Sequence, residues 1–175
     1  FAHSTTVDNE NGISSGWNDA PLSEKGVEQS KALKEQVKSI EFDVIFSSYS
    51  SRAFYTARIA FEDRVPIIQD ARLRECNYGA LNGGSSDIVE PMCEGQTIYN
   101  KFPEGESYED VKTRIADFLE FLKKNYDGKN IAIVTHKAPN LAFEVLLNGK
   151  TWEQALAHDW RKTKSWQPGW EYILS

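Results

Sequence analysis

Two histidines, an arginine and a glutamate stand just after short apolar runs that read as strands or strand tails. His3 follows Phe1-Ala2, and His136 follows Ile131-Ala132-Ile133-Val134-Thr135. Arg52 follows Asp43-Val44-Ile45-Phe46-Ser47 after the turn Ser48-Tyr49-Ser50-Ser51. Glu75 sits in Leu73-Arg74-Glu75-Cys76-Asn77-Tyr78-Gly79, at the mouth of a long polar stretch. These side-chain types are the inventory for phosphoryl transfer through a histidine. One imidazole attacks phosphorus. An arginine and the second imidazole hold the oxygens, and the carboxyl group protonates the leaving oxygen. Singly, each residue has a plainer reading. The chain has three histidines, and a lone histidine is more often a surface or satisfied side chain than a catalyst. Their shared position at strand ends is what points to a site.

The elements that must position these groups follow from periodicity. Residues 23–40 read as a helix capped by Ser23, with Leu33, Val37 and Ile40 on one face. Residues 43–47 are a short buried strand, 52–62 a helix, and 65–68 a second strand with Pro66 near an edge or a strand start. The stretch 77–103 is rich in Gly, Ser and Pro and long for a connection, as lids and binding loops are. Ser107 and Asp110 stand at capping-box spacing, ahead of a stripe of Val111, Ile115, Phe118, Leu119 and Leu122. Residues 130–135 form a central-strand pattern, and Pro139 suits the first turn of a following helix. Thr151 and Gln154 open another helix, and 170–174 reads as a last strand. Strands alternating with helices imply an α/β fold, a three-layer α/β/α sandwich with a mostly parallel central sheet. In such sheets ligands bind beyond the carboxyl ends of the strands.

Composition bounds the rest. With 175 residues, 40% hydrophobic and 26% charged, the chain suits a single domain over 1–175, with a loop or cap insertion at about 77–106. The net charge of −6 argues against a nucleic-acid footprint, which needs a basic surplus or stripe. No apolar run is long enough to cross a bilayer. Cys76 and Cys93 have no metal-ligand spacing and read as reduced thiols of a cytoplasmic protein. No metal-binding cluster is visible, and the chemistry above needs neither metal nor cofactor. The expected partner is a small phosphorylated substrate. Oligomeric state is not legible.

The motifs, in order, are Ala2-His3-Ser4-Thr5-Thr6-Val7-Asp8-Asn9, then Gly16 to Gly26 with Gln29, then Ser47 to Ala53 with Thr56-Ala57. Leu73-Arg74-Glu75 with Gly79, Pro103-Glu104-Gly105-Glu106-Ser107, and Val134-Thr135-His136 with Asn140 complete the series. Together they resemble the histidine phosphatase superfamily, which includes the cofactor-dependent phosphoglycerate mutases. The resemblance implies a phosphoglycerate mutase-like fold whose first strand is represented only by Phe1-Ala2, with further apolar residues expected before Phe1. It implies that His3 is the phosphate acceptor and Glu75 the proton donor. Arg52 and His136 would bind the transferring group, and Asn9 a phosphate oxygen. The segment between the acid motif and the Pro-x-Gly-Glu-Ser box is shorter than in phosphoglycerate mutases. That favours a phosphatase, with mutase-type transfer as an alternative.

The first motif departs from the family pattern. The family has Arg before its nucleophile, where this chain has Ala2; Ser4 replaces a glycine, and Thr5 an acidic or amide residue. After the second histidine Lys137 replaces a glycine. Alanine offers none of the bidentate contacts of arginine. Three accounts stay open. Another residue, with Lys137 as the candidate, supplies the charge; or the domain is weakened or inactive and binds a phosphorylated ligand; or the alanine is foreign to the natural protein. The five tryptophans read mainly as packing or interface residues. The polar, basic and aromatic segment 158–167 either edges the site, binds a partner, or is a solvated loop.

Overall fold

The computed structural model describes residues 1–62, 64–163 and 169–174. Its core is a parallel sheet in the order β3 (Ile67–Gln69), β2 (Val44–Ser47), β5 (Ile131–Val134). Phe1 to His3 continues the sheet on the far side of β5. Thr135 N–H donates to the Phe1 carbonyl and His3 N–H to the Thr135 carbonyl, at 2.9 and 3.0 Å, and Ala2 bridges Thr135 in parallel. The nucleophile candidate thus sits at the end of a strand segment beside the second histidine.

Alternation along the strands splits the core into two layers. Val44 and Phe46 face one side of β2, against Val111, Ile115 and Phe118 of α5 (Tyr108–Asn125) and Ala138 and Leu141 of α6 (Lys137–Asn148). Ile45 faces the other, with Leu33 and Val37 of α2 (Glu24–Val37) and Ala53, Ala57 and Phe61 of α3 (Ser51–Phe61). This period of two makes each strand serve two helical layers. The α/β/α sandwich expected from the sequence is what forms. Among the described residues no helix is long and apolar enough to cross a membrane.

The expected caps are present. Ser23 accepts the Gly26 N–H, and Ser107–Asp110 and Thr151–Gln154 form capping boxes at the starts of α5 and of α7 (Trp152–Ala157). Three expectations need correction. The helix expected over 23–40, α2, ends at Val37, leaving Ile40 exposed outside its apolar face. Residues 77–103 are not a plain loop. They hold 3₁₀ turns, the strand β4 (Gly84–Ser85) paired with β1 (Ile13–Ser14), and helix α4 (Ser86–Cys93). Val89, Cys93, Ile98 and Phe102 from this stretch are buried in the core, which is why it folds despite its polar composition. Residues 170–174 form no strand. Tyr172 instead packs on Phe143 of α6, ring centroids 5.9 Å apart, and donates its hydroxyl proton to Glu144 at 2.6 Å; α6 takes the side chain that a sheet edge would have used.

One close approach fixes the loop that carries His3. A Cβ at Gly26 would lie 1.9 Å from the Thr5 carbonyl oxygen, so α2 presses against that loop with no room for a side chain. Helix propensity alone favours alanine over glycine by about 1 kcal/mol. Gly26→Ala is nonetheless expected to destabilise the fold, by on the order of 1–3 kcal/mol as overpacking does. Urea denaturation decides: a higher midpoint for Gly26→Ala would show that the contact does not constrain the loop.

Candidate active site

The carboxyl edge of the sheet opens on a cavity of about 240 Å³ whose walls include His3, Asn9, Arg52, Glu75 and Lys137. His136 lies directly behind it, fully buried, its ring centroid 5.0 Å from that of His3. All four residues placed at strand ends by the sequence therefore converge.

The loop after the first strand is held by side chains from two helices. Ser4 N–H donates to Thr56 Oγ1 of α3 at 3.0 Å, and Thr5 N–H to Gln29 Oε1 of α2 at 2.9 Å. Ser30 Oγ donates to Ser4 Oγ at 2.8 Å. Serine replaces a small motif residue here and finds a buried partner, which satisfies its hydroxyl. His3 Nδ1 lies 2.8 Å from the Ser4 carbonyl oxygen. A carbonyl only accepts, so Nδ1 carries the proton and Nε2 keeps the lone pair.

Arg52 is reached by a different route. Asp19 caps α3, its Oδ1 accepting Ser51 N–H at 3.0 Å and Ser51 Oγ–H at 2.8 Å. One residue into the helix, the Arg52 guanidinium donates to the carbonyls of Asn18 (3.0 Å) and Gly16 (2.7 Å). Gly16 has φ +57°, and a Cβ there would meet Asn82 Oδ1 at 2.1 Å. Glycine is required to turn that carbonyl toward the arginine. The motif from Gly16 to Gly26 is thus a collar around the start of α3.

Glu75 closes the site. Its Oε1 accepts the N–H groups of Cys76 (2.8 Å) and Ala138 (3.0 Å), and Oε2 that of Lys137 (3.0 Å). Two of these donors are the first N–H groups of α6, which have no partner inside the helix and attract negative charge. Oε2 takes one bond against two for Oε1 and keeps a lone pair for a further proton. Behind Glu75, Arg114 donates to the Glu75 carbonyl at 2.9 Å and pairs through Nε and Nη2 with both oxygens of Glu106. Glu106 Oε2 in turn accepts Asn77 N–H at 2.9 Å. The Pro-Glu-Gly-Glu-Ser box supplies this clamp and the cap of α5 together.

Electrostatics assigns the charges. Arg52 and two imidazoles share a confined space, and arginine keeps its proton. Burial, then the Arg52 charge, push the His3 imidazole down to about 3. The same two causes hold His136 well below the usual imidazole range. Both rings are neutral at physiological pH, so His3 Nε2 is available as a nucleophile. His136 Nε2 is 3.1 Å from Ser50 Oγ.

The remaining sequence candidates are both on the walls. Asn9 closes the capping box of the short helix α1 (Val7–Glu10), its Oδ1 accepting Thr6 N–H at 3.0 Å. Its amide NH₂ is the end left for a ligand oxygen. Lys137 Nζ donates to Glu90 Oε2 of α4, and Glu90 is itself a wall residue. Sequence reasoning did not single out Glu90, which lines the cavity, as does Arg161. Arg161 falls in the polar segment that was open to several readings; Lys164 and Trp166 of that segment lie outside the described residues. Trp17, one of the five tryptophans, edges the site: its Nε1 donates to the Glu75 carbonyl at 2.8 Å, and Arg74 stacks over its ring.

The model of the histidine phosphatase superfamily (branch 1) matches residues 2–167. A curated relative, the 2,3-bisphosphoglycerate-dependent phosphoglycerate mutase 2 of Lactiplantibacillus plantarum, is 31% identical over 161 residues, covering 69% of this chain and 70% of that protein. Phosphoserine phosphatase 1 of Hydrogenobacter thermophilus is 30% identical over 142 residues, covering 77% of this chain and 67% of its own. Among solved structures, Bacillus stearothermophilus YhfR superposes with a TM-score of 0.79 at 28% identity, covering 88% of this chain and 80% of that one.

The depressed imidazoles carry a pH prediction. With His3 at about 3 in the folded protein and about 6.5 unfolded, the unfolded chain binds the extra proton between those values. Folding stability therefore falls as pH drops from 6.5 toward 3. In NMR titrations the His3 and His136 ring-proton shifts are expected to stay flat from pH 5 to 8. A midpoint near 6.5 for either ring would overturn the assignment.

Proposed function

The chain belongs to the histidine phosphatase superfamily, and from that premise we propose that it is a phosphomonoester hydrolase working through a phosphohistidine on His3. The observation that carries this reading is the 2.8 Å contact between His3 Nδ1 and the Ser4 carbonyl oxygen. The His3 Nδ1–H is committed to the Ser4 carbonyl, which leaves Nε2 as the lone pair in a cavity shared with Arg52 and Glu75. In the first step Nε2 attacks phosphorus and the ester P–O bond breaks. Glu75, in its acid form, gives the proton on Oε2 to the leaving alcohol oxygen. In the second step water attacks the phosphohistidine and the P–N bond breaks. Glu75 takes the proton that water loses, and inorganic phosphate leaves. Arg52 and His136 steady the equatorial oxygens, Asn9 offers its amide NH₂, and Lys137 brings a second cation held on Glu90.

Hydrolysis is favoured over mutase transfer by access to water. His3 lines the cavity itself, and much of segment 77–106 packs inward through Val89, Cys93, Ile98 and Phe102. A mutase must keep water from the phosphohistidine until a second acceptor arrives. Relatives of both kinds, mutases and a phosphoserine phosphatase, accompany this chain, so a small phosphorylated metabolite is the substrate class proposed.

His3→Ala is expected to abolish turnover of an aryl phosphate, and brief incubation of the unchanged protein with labelled substrate to leave an acid-labile, base-stable phosphoryl group on His3. Turnover that survives His3→Ala would defeat the mechanism. Glu75→Gln is expected to cost about 100-fold or more in kcat/KM, which reports only the steps up to P–O cleavage, with an alkyl phosphate, the scale of general acid catalysis, and much less with p-nitrophenyl phosphate, whose leaving group needs no proton. Equal losses on both substrates would remove Glu75 from the proton-donor role.

A further inference from the structure

The cavity walls carry the cations Arg52 and Lys137 together with the acidic side chains of Glu75 and Glu90. The guanidinium of Arg52 is already tied to two backbone carbonyls, and Lys137 is tied to Glu90. Both imidazoles are neutral. At position 2, where a guanidinium would face the nucleophile, stands a buried methyl group. Against a transferring phosphoryl group with up to two negative charges, these residues offer little net positive charge.

Among the described residues one further cation lines the same cavity as Ala2 and His3. We propose that Arg161, in the 3₁₀ turn Trp160–Thr163 after α7, supplies the guanidinium that position 2 lacks and binds the equatorial oxygens of the phosphoryl group. The proposal rests on the phosphohistidine reading of the site. Arg161 is built to present a fork. Asp159, its side chain 2% exposed, accepts Arg161 N–H at 3.1 Å and Nη1–H at 2.8 Å through one oxygen. The guanidinium carbon lies 4.7 Å from the Trp160 ring centroid. One edge of the group is thus pinned and stacked, while Nε and Nη2 make no hydrogen bond to the described residues. A planar donor pair held this way loses little entropy on meeting two phosphate oxygens. The Arg161 charge also reaches the histidines, adding to the depression of both imidazoles. Lys137 is the weaker substitute, since an ammonium has no bidentate geometry and its partner Glu90 must be displaced before it can turn to a ligand.

The test is a cycle of four proteins: the unchanged chain, Arg161→Ala, Ala2→Arg, and the double variant. Two readouts are taken, kcat/KM on p-nitrophenyl phosphate and the affinity for tungstate by calorimetry. Arg161→Ala is expected to lose about 100-fold in kcat/KM, the scale of one missing transition-state donor, and at least tenfold in tungstate affinity. Ala2→Arg is expected to restore most of that loss in the double variant, because the two guanidinium groups serve one task. Losses under threefold, or losses that persist undiminished in the double variant, would overturn the proposal; the second pattern would mark Arg161 as a structural residue. Should Arg161→Ala not fold, Arg161→Lys decides: it keeps stem and charge but not the fork. A tenfold loss supports the proposal and parity overturns it. If the unchanged chain turns over no phosphomonoester, the hydrolase reading falls, and tungstate binding still judges Arg161 by itself.

Discussion

A single carboxylate ties the site together. Glu75 receives N–H bonds from its own neighbour Cys76 and from Lys137 and Ala138 at the start of α6. It thereby bolts the segment after β3 to the helix that follows β5, and the residue immediately before that helix is His136. Thr135 Oγ1, donating to the Leu73 carbonyl at 2.7 Å, adds a second bolt across the same seam. The unpaired N–H groups at a helix start need a partner, and here the partner doubles as the group proposed to move a proton. Binding the fold and serving the chemistry are one interaction.

The second constraint is charge in a confined space. Two imidazoles and a guanidinium cannot all be cationic beside one another, and arginine holds its proton most tightly. Burial first, and the Arg52 charge next, keep both histidines neutral. The cost of burying Arg52 is offset by the carbonyls of Gly16 and Asn18. This explains why a glycine-bearing turn 36 residues before Arg52 belongs to the site. It also gives meaning to the neighbours of His3. Ser4 and Thr5 depart from the family pattern, yet their N–H groups are caught by Thr56 and Gln29, so the loop keeps a fixed shape.

The lid-like segment and the C-terminal region mark where reading along the chain failed. Residues 77–106 look polar by composition, but Tyr78, Val89, Cys93, Ile98 and Phe102 among them reach the core. Their spacing follows neither a helix nor a strand for long enough to register, because short turns interrupt it. Tyr172 belongs to an apparent strand and instead serves α6.

By itself the sequence determined the layers, the strands that end in His3 and His136, the caps of three helices, and the four residues proposed for the chemistry. Each follows from contacts within a few positions of the chain, where period and capping chemistry act directly. The tertiary structure alone decided that Lys137 is held by Glu90 and that Arg161 shares a cavity with Ala2. Residues 2 and 161 are brought together by the closure of a sandwich around a parallel sheet. Such closure is set by packing among distant elements, and no local period records it.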